Sequence, residues 1–259
     1  MNLRKNFEVK QFGELRTLEI YLYGEIEGDY YDWWRGEIVE STTSANYVRK
    51  AIDEAGTVDK INVYINSCGG SVSEGNAIFN ILKRTDAVVN VYIDAFAFSV
   101  ASVIAMAGDK IIMPSNTTMM IHNAMMGAYG NSKELRKAAD NLDVMNEASC
   151  NSYLIKAGDK ITREELNEML DTETFLTAEQ AFAIGLCDEI ANPVDISKSV
   201  DVIEQARKRE NPKAKKALEI LQSNAKPQVK SEPIPQLEPK QEEDKFDWLK
   251  KIVNSRNLI

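Results

Sequence analysis

Ser99 and His122 are the pair whose residue types and setting best suit bond-breaking chemistry. The chain holds a single histidine, so any acid–base step near neutral pH that uses an imidazole falls to His122. It follows the strand-like run Thr118-Met119-Met120-Ile121 and stands 23 residues after Ser99. Ser99 in turn opens an apolar run to Ala107 that reads as a buried helix. A serine hydroxyl is a poor nucleophile until a base takes its proton, and the oxyanion that forms next needs hydrogen-bond donors. The amide of Val100, at the start of that helix, is one candidate donor. Gly70, where another helix begins, is a second, because glycine lets the backbone come close to a substrate. Each residue alone has an ordinary explanation: a serine before a helix caps it, a lone histidine at a strand end is structural, and Asn-Ser-x-Gly-Gly is a turn. Their joint order and spacing carry the argument.

These residues have to be held by the elements around them. Leu15 to Ile26 alternates apolar and polar side chains and predicts a strand, followed by an acidic, aromatic loop from Gly28 to Trp34. Ser44 to Ala55 predicts a helix ended by Gly56. Ile61 to Asn66 then reads as strand, Gly69-Gly70 as turn, Ser71 to Arg84 as helix and Val88 to Ile93 as strand. Asp94 to Phe98 reads as a strand-loop segment leading to Ser99. After the apolar helix come a short strand from Lys110 to Met113, stopped by Pro114, and the strand before His122. Gly127 and Gly130 bracket a turn before a long helix from Ser132 to Ala157, with Leu135, Ala138, Leu142 and Met145 on one stripe. Thr177 caps a last helix that Gly185 ends. Strands alternating with helices predict stacked crossover units, an α/β fold, rather than a helical bundle.

Composition narrows the function classes. The chain has 259 residues, 44% hydrophobic and 27% charged, enough for one sizeable core plus an appendage. No apolar run reaches the roughly 20 residues of a membrane-spanning helix, and the first residues lack the apolar stretch of a secretion signal, so a cytoplasmic protein without membrane association is expected. Cys68, Cys150 and Cys187 are widely separated, which argues against a disulfide framework and against zinc-binding pairs. No metal and no cofactor is called for. Of the 31 Lys and Arg and 40 Asp and Glu, residues 191–259 hold 14 and 11, which leaves an acidic body unsuited to nucleic acid. Lys226 to Lys240 carries four of the seven prolines and predicts an extended linker. A domain over residues 1–190 is therefore expected, then a helical extension over 191–225 and a Pro-rich linker with a short amphipathic end over 226–259.

Longer stretches carry a resemblance. Ile65-Asn66-Ser67-Cys68-Gly69-Gly70-Ser71-Val72, Ala97-Phe98-Ser99-Val100-Ala101-Ser102 leading to Ala107-Gly108, Pro114-Ser115-Asn116 leading to Met120-Ile121-His122, and Phe175-Leu176-Thr177-Ala178-Glu179 leading to Gly185-Leu186-Cys187-Asp188 together resemble the Clp protease proteolytic subunit family of serine peptidases. The resemblance covers about Leu18 to Ile190. It implies a spiral of stacked β-β-α units, shared with the crotonases, with a long handle helix by which rings of subunits pair. It implies Ser99 as nucleophile, His122 as general base and the amides of Gly70 and Val100 as oxyanion hole. Ser102 competes by composition, but the family interval to the following Ala-Gly favours Ser99. The third member aligns at Glu173, with Asp171 the alternative. Substrate is expected as an added strand beside Gly69-Gly70 and a strand from Met125 to Gly130, so Gly69, Met125 and Gly127 are expected to bind it.

The sequence also departs from the family. Cys68 stands where proline is usual, Phe98 replaces a small residue, and the tail is additional. These features look more like the phage branch, whose members mature procapsids. The implied partners are protein substrates, further copies of the chain in a ring, and either an ATPase unfoldase or phage capsid and scaffold proteins. No P-loop is present, so ATP dependence would have to come from a partner. Three other readings compete: a crotonase-like enzyme acting on acyl-CoA, a ring scaffold inactivated by Phe98, and a cysteine peptidase using Cys68.

Overall fold

In a computed structural model the described residues are 7–12 and 15–192. The expected helical extension from residue 193 onward, the Pro-rich linker and the amphipathic end lie outside them, and Ala191, expected to open the extension, is the last residue of a strand. An eight-stranded sheet forms the centre, built from β1 (Phe7–Phe12), β2 (Leu15–Ile26), β5 (Lys60–Gly70), β6 (Val88–Phe98), β7 (Lys110–Pro114), β8 (Thr118–Ile121), β9 (Thr174–Thr177) and β10 (Glu189–Ala191). A separate hairpin pairs β3 (Tyr30–Asp32) with β4 (Glu37–Val39). The helices are α1 (Ala45–Ala55), α2 (Val72–Lys83), α3 (Val100–Ala105), α4 (Ser132–Ala157), α5 (Arg163–Asp171) and α6 (Ala178–Ala183).

The sheet runs β1-β2-β5-β6-β7-β10, parallel from β2 onward, with β1 antiparallel at one edge. Parallel pairing requires crossovers, and α1 and α2 supply them between β2 and β5 and between β5 and β6. Ile61, Val63 and Ile65 of β5 alternate inward and are fully buried, as are Val91 and Ile93 of β6. Burial of each such side chain stabilises the fold by about 1.5–3 kcal/mol. The opposite face shows the register directly: Tyr21, Tyr64 and Tyr92 lie side by side, with successive ring centroids 4.8 and 5.0 Å apart.

One strand is shared between two neighbours. Asn90 to Tyr92 of β6 pair with β7, whereas Phe96 to Phe98 pair with β8, which in turn pairs antiparallel with β9. The end of β6 therefore lies beside the end of β8, and those two ends carry Ser99 and His122.

The α/β class and the long helix are as expected, but several local readings are corrected. Gly69-Gly70 is not a turn: β5 runs through Gly70, because β2 continues to pair with it as far as Ile26. Asp94 to Phe98 is likewise strand throughout. The expected loop from Gly28 to Trp34 contains the first arm of a hairpin, whose turn is closed by Asp32 accepting the Trp34 and Arg35 amides at 2.9 and 3.2 Å. Met125 to Gly130 forms no strand, since a strand needs a ladder partner and the described part of this chain presents none there. Finally, β1 and α5 were not foreseen.

Candidate active site

Ser99 sits at the junction between β6 and α3 with φ 54° and ψ −133°. A side chain with positive φ is strained, and such strain persists only where the surroundings fix it. Here they do. The Ser99 amide donates to the Met120 carbonyl at 2.9 Å, which extends the β6–β8 ladder by one step. The Ser102 hydroxyl, fully buried on the next turn, lies 2.6 Å from the Ser99 carbonyl and 3.2 Å from the Met120 carbonyl. Tyr153 of α4, itself buried, meets that hydroxyl at 2.7 Å. Burial pushes the Tyr153 phenol well above its ordinary pKa, against the Ser102 hydrogen bond that lowers it, so it remains a donor. Ser102 is thus engaged in a buried network, and no hydrogen bond joins it to His122 among the described residues.

The Ser99 side chain makes no capping bond to α3. Instead its Oγ lies 2.7 Å from Nε2 of His122, within general-base reach. His122 follows β8 directly and is half-buried. Cys68 is exposed, and among the described residues no hydrogen bond joins it to the imidazole. The Phe98 ring packs between Phe96 and Phe175, with centroids 4.7 and 5.4 Å away, and does not separate Ser99 from His122.

Glycines close the other side. At Gly69, with φ +90°, a Cβ would stand 2.7 Å from the Ser99 Cβ and 2.8 Å from the Phe98 carbonyl. At Gly70, with φ +146°, it would stand 2.3 Å from the Ile26 carbonyl. Both positions therefore require glycine. A third close contact was not anticipated: a Cβ on Gly75 of α2 would meet Val100 Cγ2 at 2.1 Å. Gly75 lets α2 press against the first residue of α3 and so sets the position of the Val100 amide. An isolated glycine within a helical pattern was the available signal.

Neither candidate acid is bonded to the histidine among the described residues. Asp171, at the end of α5, accepts from Asn123 Nδ2 at 2.6 Å. Glu173 follows with φ 50°, and among the described residues no hydrogen bond or ion pair joins either carboxylate to His122. Met125 is exposed, Gly127 has nothing near its Cβ position, and the segment carrying both is tied back at Ala124, whose amide donates to Asn146 Oδ1 at 2.7 Å. Beyond it α4 stands clear of the body. No residue from Ser132 to Ser149 is buried, whereas Cys150, Ser152, Tyr153 and Ala157 are. Leu135, Val144 and Met145 are exposed on the projecting part.

Two comparisons with known proteins bear on this arrangement. The sequence matches the Clp protease family over residues 37–194. It is 32% identical over 173 residues to a protein of Ligilactobacillus salivarius (strain UCC118) named ATP-dependent Clp protease proteolytic subunit, covering 65% of this chain and 86% of that protein.

Proposed function

We propose that this chain, which belongs to the Clp protease family and is a peptidase, cleaves internal peptide bonds with Ser99 as nucleophile and His122 as general base. The observation that carries this reading is the 2.7 Å contact between Ser99 Oγ and His122 Nε2 at a strained strand-to-helix junction. Ser99 attacks the scissile carbonyl while His122 takes its proton. The amides of Val100 and Gly70 receive the oxyanion, and Val100 is suited to this because the first amide of a helix has no intrahelical acceptor. His122 then passes the proton to the leaving amine, and water hydrolyses the acyl-enzyme.

The reading extends to assembly. The exposed apolar residues of α4 and the unpaired segment from Met125 to Gly130 support self-association into rings that pair through these elements. A neighbouring copy would supply the ladder partner that segment lacks, and docking there would fix the acid beside His122. Protein substrates then lie against Gly69 and the ordered 125–130 segment. No helix among the described residues is long and apolar enough to cross a membrane.

Hydrolysis of a fluorogenic peptide by the purified protein tests the proposal. Ser99→Ala is expected to abolish turnover with the fold and assembly retained. Turnover undiminished in that variant would remove Ser99 from the mechanism, and absence of turnover in the unaltered, assembled protein would contradict the proposal as a whole.

A further inference from the structure

The β3–β4 hairpin carries a cluster of exposed aromatic side chains. Trp33 and Trp34 are 87% and 100% exposed, and Tyr30, Tyr31 and Ile38 stand out beside them. The hairpin is anchored firmly at its base. Asp29 accepts the Ser41 amide at 3.0 Å and the Asn46 side chain at 2.9 Å. Thr43 Oγ1 donates to the Glu25 carbonyl at 2.7 Å, and Glu74 of α2 accepts the Ala45 amide at 2.7 Å. An apolar cluster held out rigidly in this way marks an interaction surface.

Position and charge indicate what it meets. The hairpin springs from the end of β2, where Ile26 pairs with Gly70 and accepts the Ser71 amide at 2.7 Å, so it continues the wall of the proposed oxyanion site. From Glu25 to Glu40 there are six carboxylates against Arg35 alone. Asp29, Asp32 and Glu40 are engaged within the fold, whereas Glu25, Glu27 and Glu37 are exposed and make no side-chain hydrogen bond or ion pair among the described residues. Indole and phenol faces next to free carboxylates attract ammonium and guanidinium groups. Both tryptophans precede residue 37, where the family match begins.

We propose that the β3–β4 hairpin is a docking element for basic, extended segments of the protein substrate, seating Lys and Arg side chains on Trp33 and Trp34 beside Glu27 and Glu37. The proposal rests on the peptidase reading for its role, but its test does not require turnover. In the full-length Ser99→Ala protein, binding of a labelled Lys/Arg-rich peptide is followed by fluorescence anisotropy against an Asp/Glu-rich peptide of equal length. The basic peptide is expected to bind more tightly and to weaken as salt rises. Trp33→Ala with Trp34→Ala should weaken it by roughly tenfold or more, and both side chains are exposed, so folding is not at stake. Glu27→Gln with Glu37→Gln should flatten the salt dependence. Equal binding of the two peptides, or binding unchanged by the tryptophan substitutions, would overturn the proposal. So would a changed oligomeric state in those variants, which would make the hairpin a contact between copies. Cleavage of a short uncharged peptide should be unaffected by the hairpin variants. Failure of the unaltered protein to cleave it would count against the peptidase reading and leave the binding result standing.

Discussion

The two sides of His122 are built to different standards. Toward Ser99 every group is fixed within one chain: a ladder bond from the Ser99 amide, the Ser102 hydroxyl between two carbonyls, Tyr153 behind it and glycines in front. Away from Ser99 the imidazole has no hydrogen-bond partner among the described residues, Asp171 is held by Asn123, and the following segment is an exposed coil leading to an uncovered helix. A nucleophile and base need sub-ångström placement, and a buried network supplies it locally. In the proposed mechanism the acid and the substrate-facing segment belong to this less-fixed side, and completion of the site then depends on assembly.

The most severe way to break the completed side is His122→Ala, expected to lower kcat by about four orders of magnitude or more with the fold unchanged. The open side is sharpened next by two carboxylate substitutions in the assembled protein. Glu173→Gln is expected to lower kcat by a factor on the order of 10² to 10⁴ with KM little altered, because its exposed carboxylate, unlike that of Asp171, makes no hydrogen bond or ion pair among the described residues. Asp171→Asn should change kcat only a few-fold, its oxygen being occupied by Asn123. The reverse ranking would assign the orienting role to Asp171.

Smaller effects test the network itself. Ser102→Ala leaves the buried Tyr153 phenol without its hydroxyl partner, while the Ser99 and Met120 carbonyls keep their backbone donors, and is expected to destabilise the fold by about 1–3 kcal/mol in denaturant titration. kcat should fall by about tenfold while KM is held, since the lost bond steadies the strained Ser99. The least effect concerns the hairpin base. Burial pushes the Asp29 carboxyl up, but hydrogen bonds from Asn46 and the Ser41 amide outweigh it and hold its pKa below the usual aspartate value. A depressed folded-state pKa means that this anchoring is present above the ordinary aspartate range and lost as pH falls through the lower folded value. The protection of the Ser41 amide against exchange, relative to the intrinsic rate at each pH, should therefore fall in acid, and Asp29→Ala should remove that pH step.

How much was readable in the sequence followed the physics of each element. α4 was legible at both ends because Asn131 and Glu134 form a capping box and Gly158 stops the helix. The Ser99–His122 pair was legible through residue type, order and spacing, and in the structure the ends of the parallel neighbours β6 and β8 place the two side by side. Gly69-Gly70 looked like a turn because local signals cannot report that β2 continues to pair beyond it. The hairpin was hidden because Tyr30 to Trp34 has no alternating period, and its turn depends on Asp32. Tyr153 and Ser102 lie 51 residues apart, so no local pattern links them. The expected strand from Met125 to Gly130 shows the opposite limit: extended sequence becomes a strand only when a partner is present.

The central claim, that Ser99 is the activated nucleophile, is tested most directly by covalent labelling with a fluorophosphonate and mapping the modified peptide by mass spectrometry. The account predicts a single adduct on Ser99, lost in His122→Ala. An adduct on Ser102, or peptidase activity that persists with Ser99 unlabelled, would contradict it.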